Sequence, residues 1–296
     1  MLAIEYLATN ASAFIITAGL FGLLVGSFLN VVIYRIPVIL DNEWREAATD
    51  ILEEQGIKVE KPETAESSPF NLVVPRSACP SCGHQITALE NVPIISYLFL
   101  GGKCSGCKNP ISIRYPLIEL LTGLLFAFSA YHFGWSYQSG ATIVLCSFLI
   151  ALIFIDIDRK LLPDNLVYPL LWIGLIVNID STFVSLEESV IGALAGYLTL
   201  WSIFWLFKLA TGKEGMGYGD FKLLGALGAW LGWKMLPLII MLSSVVGAVL
   251  GILILVISKK GRETTLPFGP YLAIAGLVAL FWGELIVEQY LTLMGL

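Results

Sequence analysis

Residues 120–155 read LLTGLLFAFSAYHFGWSYQSGATIVLCSFLIALIFI, 36 consecutive positions without Asp, Glu, Lys or Arg. A helix crossing a bilayer needs about 20 apolar residues at about 1.5 Å each, so this run is too long for one crossing. Phe133-Gly134-Trp135 and Ser139-Gly140 place turn-forming residues at its middle. It therefore reads as two helices, roughly over 117–133 and 140–157. Immediately after it come two acids, Asp156 and Asp158.

Further uncharged runs cover 6–34, 165–179, 189–207, 235–258 and 264–283, and a weaker apolar stretch covers 221–233. Across the 296 residues 57% are hydrophobic and 14% charged, with a mean hydropathy of +0.81. Soluble domains carry about 25% charged residues, so this chain cannot cover a water-facing surface. That excludes a soluble enzyme, a disordered chain and a small disulfide-stapled domain. A net charge of −6 with no basic stripe speaks against a nucleic-acid partner. The expected fold is an all-α polytopic membrane helix bundle lying in a lipid bilayer.

Lys and Arg gather in cytoplasmic connections. Eight of the 17 basic residues fall in 35–116; Arg159 and Lys160 follow the third span, and Lys208, Lys213 and Lys222 follow the fifth. Lys259, Lys260 and Arg262 follow the seventh, while the connections 134–139 and 180–188 carry none. With 221–233 counted as a span, every basic residue except Lys234 lies on one side, which favours about eight transmembrane helices with both termini outside. The first span lacks a basic start and a cleavage site, and is taken as a retained helix rather than a signal peptide.

The expected domains are a first transmembrane helix over 1–36, a cytoplasmic insert over 37–116 and a seven-helix catalytic bundle over 117–296. Within the insert, 41–66 is acidic and helix-prone, with Trp44 and Ile51 as anchors, and gives way near Pro62 to a linker.

Cys79-Pro80-Ser81-Cys82 and Cys104-Ser105-Gly106-Cys107 form two CxxC knuckles, the spacing of a four-cysteine zinc site. Gly83 and Gly106 are the residues expected to allow the tight turns. A reducing cytoplasm disfavours disulfides. Four sulfurs close the metal's shell, so the zinc is expected to be structural, with His84 on the surface and not a ligand. Cys146 reads as a small apolar core residue.

Acids at span ends in an uncharged bundle are functional candidates. Asp156 ends the third span and Asp220, in Gly217-Tyr218-Gly219-Asp220, starts the sixth; the charge bias puts both at the cytoplasmic face. Paired carboxylates share a proton, one activating water and the other polarising a carbonyl. Asp156 and Asp158 lie about 200° apart on a helix, so at most one faces the interior. Gly217 and Gly219 would let an extended substrate approach the acid. Asp164 reads as the cap of the fourth span, Glu119 as a favourable charge at a helix start, and Asn30 as a donor across helices.

Several motifs then occur in order: Gly26-Ser27-Phe28-Leu29-Asn30 to Arg35, the paired knuckles, Ile111-Ser112-Ile113-Arg114-Tyr115-Pro116, Asp156-Ile157-Asp158 with Leu162-Pro163-Asp164, and Gly217-Tyr218-Gly219-Asp220-Phe221-Lys222-Leu223. Together the chain resembles the type IV prepilin leader peptidases with N-methyltransferase activity, from about residue 19 to 274. The GxGD element alone is shared with presenilin-like intramembrane aspartyl proteases. The resemblance implies Asp156 and Asp220 as the catalytic pair. It also implies prepilin and type II secretion pseudopilin substrates, cut after a glycine at the cytoplasmic face of the bacterial inner membrane. Methylation of the new N-terminus by S-adenosylmethionine is likewise implied by resemblance alone. The oligomeric state has no signature in the sequence.

Overall fold

The computed structural model describes residues 2–57, 70–257 and 267–295, and among them no β-strand occurs. Among the described residues ten α-helices run in order: α1 Leu2–Thr9, α2 Ala11–Glu54, α3 Ile95–Phe99, α4 Arg114–Phe133, α5 Tyr137–Arg159, α6 Asp164–Val177, α7 Leu186–Thr211, α8 Tyr218–Leu231, α9 Leu236–Ile257 and α10 Gly269–Met294. The chain divides into two compact units, Met1–Tyr131 and His132–Leu296. The charge cluster at Lys259, Lys260 and Arg262, residues 58–66 of the acidic segment and the linker near Pro62 lie outside the described residues.

In the first unit, the Asn10 side chain caps α2 by accepting the Ala13 amide at 3.0 Å. The uncharged run ends at Tyr34, yet the helix continues through Pro37 for 44 residues in all. That is about 66 Å, twice the hydrocarbon thickness, so its acidic C-terminal half must leave the bilayer. α2 and α4 touch through glycine: a Cβ at Gly26 would lie 2.7 Å from Glu119 Cα, and one at Gly22 would lie 2.8 Å from Gly123 Cα. Lipid supplies no hydrophobic drive between helices, so close backbone approach of this kind is what holds them. Asn30 adds the expected cross-helix bond, donating Nδ2–H to Tyr115 O at 3.2 Å.

The second unit is built around α8. Asp220, Phe221 and every residue from Leu223 to Leu231 are buried, with α7, α6 and α10 as its principal neighbours. The closest approach is to α7, where a Cβ on Gly228 would fall 2.1 Å from Gly192 O and one on Gly196 would fall 2.6 Å from Leu224 O. The C-terminal carbonyls of a helix have no partners within it. Here Asn178 Nδ2–H donates to Ala229 O at 2.9 Å and Trp230 O at 3.0 Å, and the Ser189 hydroxyl also donates to Ala229 O. Trp230 in turn donates Nε1–H to Leu170 O of α6 at 2.8 Å.

The run 120–155 divides as expected, into α4 and α5. Among the described residues each of the eight expected spans is helical, and six of these helices are long and apolar enough to cross a membrane by themselves. The exceptions, α6 and α8, have 14 residues each, or about 21 Å. For α8 the reason is burial: a helix enclosed by protein need not match the bilayer thickness.

The Gly192–Gly228 contact leaves no room for a methyl group. Gly228→Ala is expected to cost about 1–3 kcal/mol or more, read as a thermal midpoint several degrees lower in detergent. An unchanged midpoint would contradict this packing.

Candidate functional site

Asp156 and Asp220 are both buried, at 5% and 6% exposure, and lie close enough for their carboxylates to repel each other. Different helix ends bring them together. Asp156 sits in the last turn of α5, where Lys160 adopts a left-handed conformation (φ 53°) and donates its amide to Asp156 O at 2.8 Å. Asp220 sits in the first turn of α8, with Oδ2 accepting the Gly217 amide at 3.2 Å. A helix start favours a negative group. Asp156 Oδ2 is buried without a well-formed hydrogen bond among the described residues, and the Gly269 amide is the backbone group that interacts with its carboxyl. Asp158, two residues on, is exposed, as the helical angle required.

Gly217 has open space on its Cβ side apart from Asp220 Oδ2 at 3.8 Å, whereas the neighbour filling the Gly219 side is Leu162, 2.7 Å from a Cβ built there. Asp164 is not the cap of α6: Pro163 holds that position, and Asp164 is the first helical residue. Its carboxylate instead grips Lys222 Nζ at 2.7 and 2.8 Å, and Nζ lies 5.2 Å from the Tyr168 ring centre. This pair ties the first turn of α8, which carries Asp220, to the first turn of α6. In the sequence Lys222 is one of the basic residues after the fifth span, and its place two residues after Asp220 is the available signal.

The cysteines converge within the first unit. All four Sγ atoms lie within 4.8 Å of one another, with Cys79–Cys107 at 3.8 Å and Cys82–Cys104 at 3.9 Å. Tetrahedral zinc–sulfur bonds of about 2.3 Å require sulfurs about 3.8 Å apart, so the cluster could hold a metal ion. Amides of Ser81 and Cys82 pull the Cys79 thiol down to about 6. At Cys82 the His84 amide pulls the same way, but the crowded sulfurs, Cys107 first, win and push it up to about 11. Four sulfurs this close need a cation before all can ionise.

Each knuckle is closed by one antiparallel bridge, Ala78 with Gln85 and Lys103 with Pro110. The tight turn of the first falls on Gly83 (φ 71°) as expected, but in the second it falls on Lys108 (φ 62°) and not on Gly106. The left-handed position is the residue after the second cysteine, and that is Lys in one knuckle and Gly in the other. His84 is half-buried and held by Glu90 at 3.2 Å and the Ser105 hydroxyl at 3.0 Å, outside the sulfur set.

Two other side chains prove to be anchors. Glu119 is buried, and its Oε2 accepts the Ile94 amide at 2.8 Å, a stronger role than a charge at a helix start. Arg35, the first of the basic residues in 35–116, is buried and donates to Asn71 O at 2.7 Å and Pro75 O at 2.6 Å. It thereby fixes the chain just before the first knuckle.

A helical membrane protein with two buried aspartates at helix ends and a four-thiolate cluster is a narrow class. Residues 20–133 match the bacterial peptidase A24 N-terminal domain, and residues 143–252 match the type IV leader peptidase family. A prepilin leader peptidase/N-methyltransferase of Stutzerimonas stutzeri is 56% identical, over 98% of both chains. One of Pseudomonas aeruginosa is 54% identical over 99% of this chain and 98% of its own, and one of Legionella pneumophila 46% over 93% and 94%. The chain belongs to the type IV leader peptidase family. No solved structure matches it significantly.

The Ser105 hydroxyl, the Thr87 amide and hydroxyl, and His84 hold the Glu90 carboxyl well down, at about 2 against an ordinary 4.5. A lowered folded-state value stabilises above pH about 4.5 and is lost as pH falls toward 2. The gap in thermal midpoint between the parent and Glu90→Gln is therefore expected to be full at pH 6 and to narrow below about 4.5. A gap independent of pH would contradict the assignment.

Proposed function

We propose that the chain is a membrane aspartyl endopeptidase that removes leader peptides from prepilins and type II secretion pseudopilins, with Asp156 and Asp220 as its catalytic pair. The observation that carries this reading is the convergence of two buried carboxylates, 64 positions apart in sequence, inside an apolar bundle. A carboxylate has no reason to be there unless a partner or a task offsets its burial.

The pair shares one proton. The ionised carboxylate takes a proton from a water molecule as it attacks the scissile carbonyl carbon, and the protonated carboxyl donates to the carbonyl oxygen. Proton return to the amide nitrogen then breaks the C–N bond. Of the two glycines that precede Asp220, Gly217 is the proposed substrate-side backbone, because Leu162 already occupies the side of Gly219. Lys222 and Asp164 hold Asp220's helix in place for this step.

We assign zinc to Cys79, Cys82, Cys104 and Cys107 as a structural ion. It staples a polar cytoplasmic domain over 37–116, between a first transmembrane helix over 1–36 and a catalytic bundle over 117–296. Charge bias supports placing the zinc domain and both aspartates on the cytoplasmic side of the bacterial inner membrane, with both termini periplasmic. Methylation of the new N-terminus from S-adenosylmethionine is supported by the relatives' shared name. Two grooves of about 420 and 370 Å³ in the second unit have no charged lining residue and do not suit a charged methyl donor, so no residue is assigned to it.

Incubation with a prepilin, read by mass spectrometry, tests the function. Asp156→Ala and Asp220→Ala are each expected to abolish the cut while still accumulating in the membrane. Full cleavage by Asp220→Ala would discard the mechanism. Elemental analysis is expected to find one zinc per chain, lost when Cys79 and Cys82 are both replaced by Ser. Retained zinc in that variant would contradict the ligand set.

A further inference from the structure

Gly269 opens α10 and lies directly against the Asp156 carboxylate. A Cβ there would stand 2.6 Å from Asp156 Oδ2 and 3.1 Å from both Leu162 methyl groups. Leu162 is itself buried, in the connection between α5 and α6. Its other side fills the notch at Gly219, next to Asp220, where a Cβ would meet Leu162 Cβ at 2.7 Å. One leucine therefore touches both the glycine facing Asp156 and the glycine preceding Asp220. Asp156 Oδ2 has no well-formed hydrogen bond among the described residues, so the Gly269 backbone and the side chains packed around it are what place that oxygen.

We propose that Leu162 and Gly269 are positioning residues that set the separation and aim of the two aspartates during cleavage. The proposal rests on the reading of Asp156 and Asp220 as the catalytic pair. A shared proton and one attacking water demand carboxylates held to fractions of an ångström, and a displacement of about 1 Å can cost about 100-fold in rate. A methyl group at position 269 has only two ways out, moving the Asp156 carboxylate or pushing Leu162 toward Gly219. Either changes the pair.

The test uses the purified full-length chain in vesicles with a prepilin substrate, measuring kcat and KM separately. Gly269→Ala is expected to lower kcat about 100-fold with KM within about twofold. Leu162→Ala, which opens space without a clash, is expected to lower kcat about tenfold with KM unchanged, and it keeps the proposal testable if Gly269→Ala does not accumulate. The control is Gly276→Ala, two turns along the same helix, where a Cβ would crowd Leu227 Cδ2 at 2.6 Å but no carboxylate. It should keep kcat within about threefold.

The proposal is overturned if Gly269→Ala and Leu162→Ala keep parental kcat, if their losses fall in KM, or if Gly276→Ala loses as much. Asp220→Asn is run alongside. Parental cleavage by that variant would sink the catalytic pair itself, whereas an inactive Asp220→Asn beside a fully active Gly269→Ala would remove the positioning role alone.

Discussion

Everything in the second unit depends on enclosing α8. At 14 residues it is too short to face lipid along a full crossing, and it carries Asp220 in its first turn. Both facts are tolerable only if protein surrounds it. Enclosure is achieved by removing side chains where neighbours must come closest, at Gly192, Gly196, Gly225 and Gly228, so that backbone meets backbone. The open carbonyls at its far end are closed by Asn178 and Ser189.

That enclosure makes the carboxylates chemically unusual. Asp220 is held from within its own helix by the Gly217 amide and, through Lys222, from α6 by Asp164. Asp156 arrives on the last turn of α5 with one oxygen lacking a well-formed hydrogen bond among the described residues. In water such a group would simply be hydrated; inside the bundle its position and its repulsion with Asp220 are set by packing. Each acid thus meets one backbone amide, Gly217 for Asp220 and Gly269 for Asp156, and Asp156 leans more heavily on the packing around it.

Much of this was legible in the sequence because membrane chains write their folds in long runs and scarce charges. The break of 120–155 into two helices and the convergence of the four cysteines follow from period and spacing; period allowed only one of Asp156 and Asp158 to face inward, and the family resemblance pointed to Asp156. What the sequence concealed were choices made by tertiary contact. Gly106 and Lys108 exchange expected roles because turn position, not residue preference, decides which one turns left-handed. Asp164 is the first helical residue after a Pro163 cap, and its carboxylate meets Lys222 from 58 positions away. Glu119 and Arg35 look like ordinary terminal charges until their carbonyl and amide partners, in loops with no periodic signal, are in view. The short α6 and α8 count as spans by hydropathy, and only burial shows why α8 does not need the length.

The claim beneath the whole account is that Asp156 and Asp220 act as one unit. A double-mutant cycle measures this directly, with prepilin cleavage rates for Asp156→Asn, Asp220→Asn and the double variant. A single catalytic unit predicts that the double variant is no slower than either single one, since the first substitution already removes the shared proton path. Losses that multiply, or a single variant that keeps most of the parental rate, would contradict it.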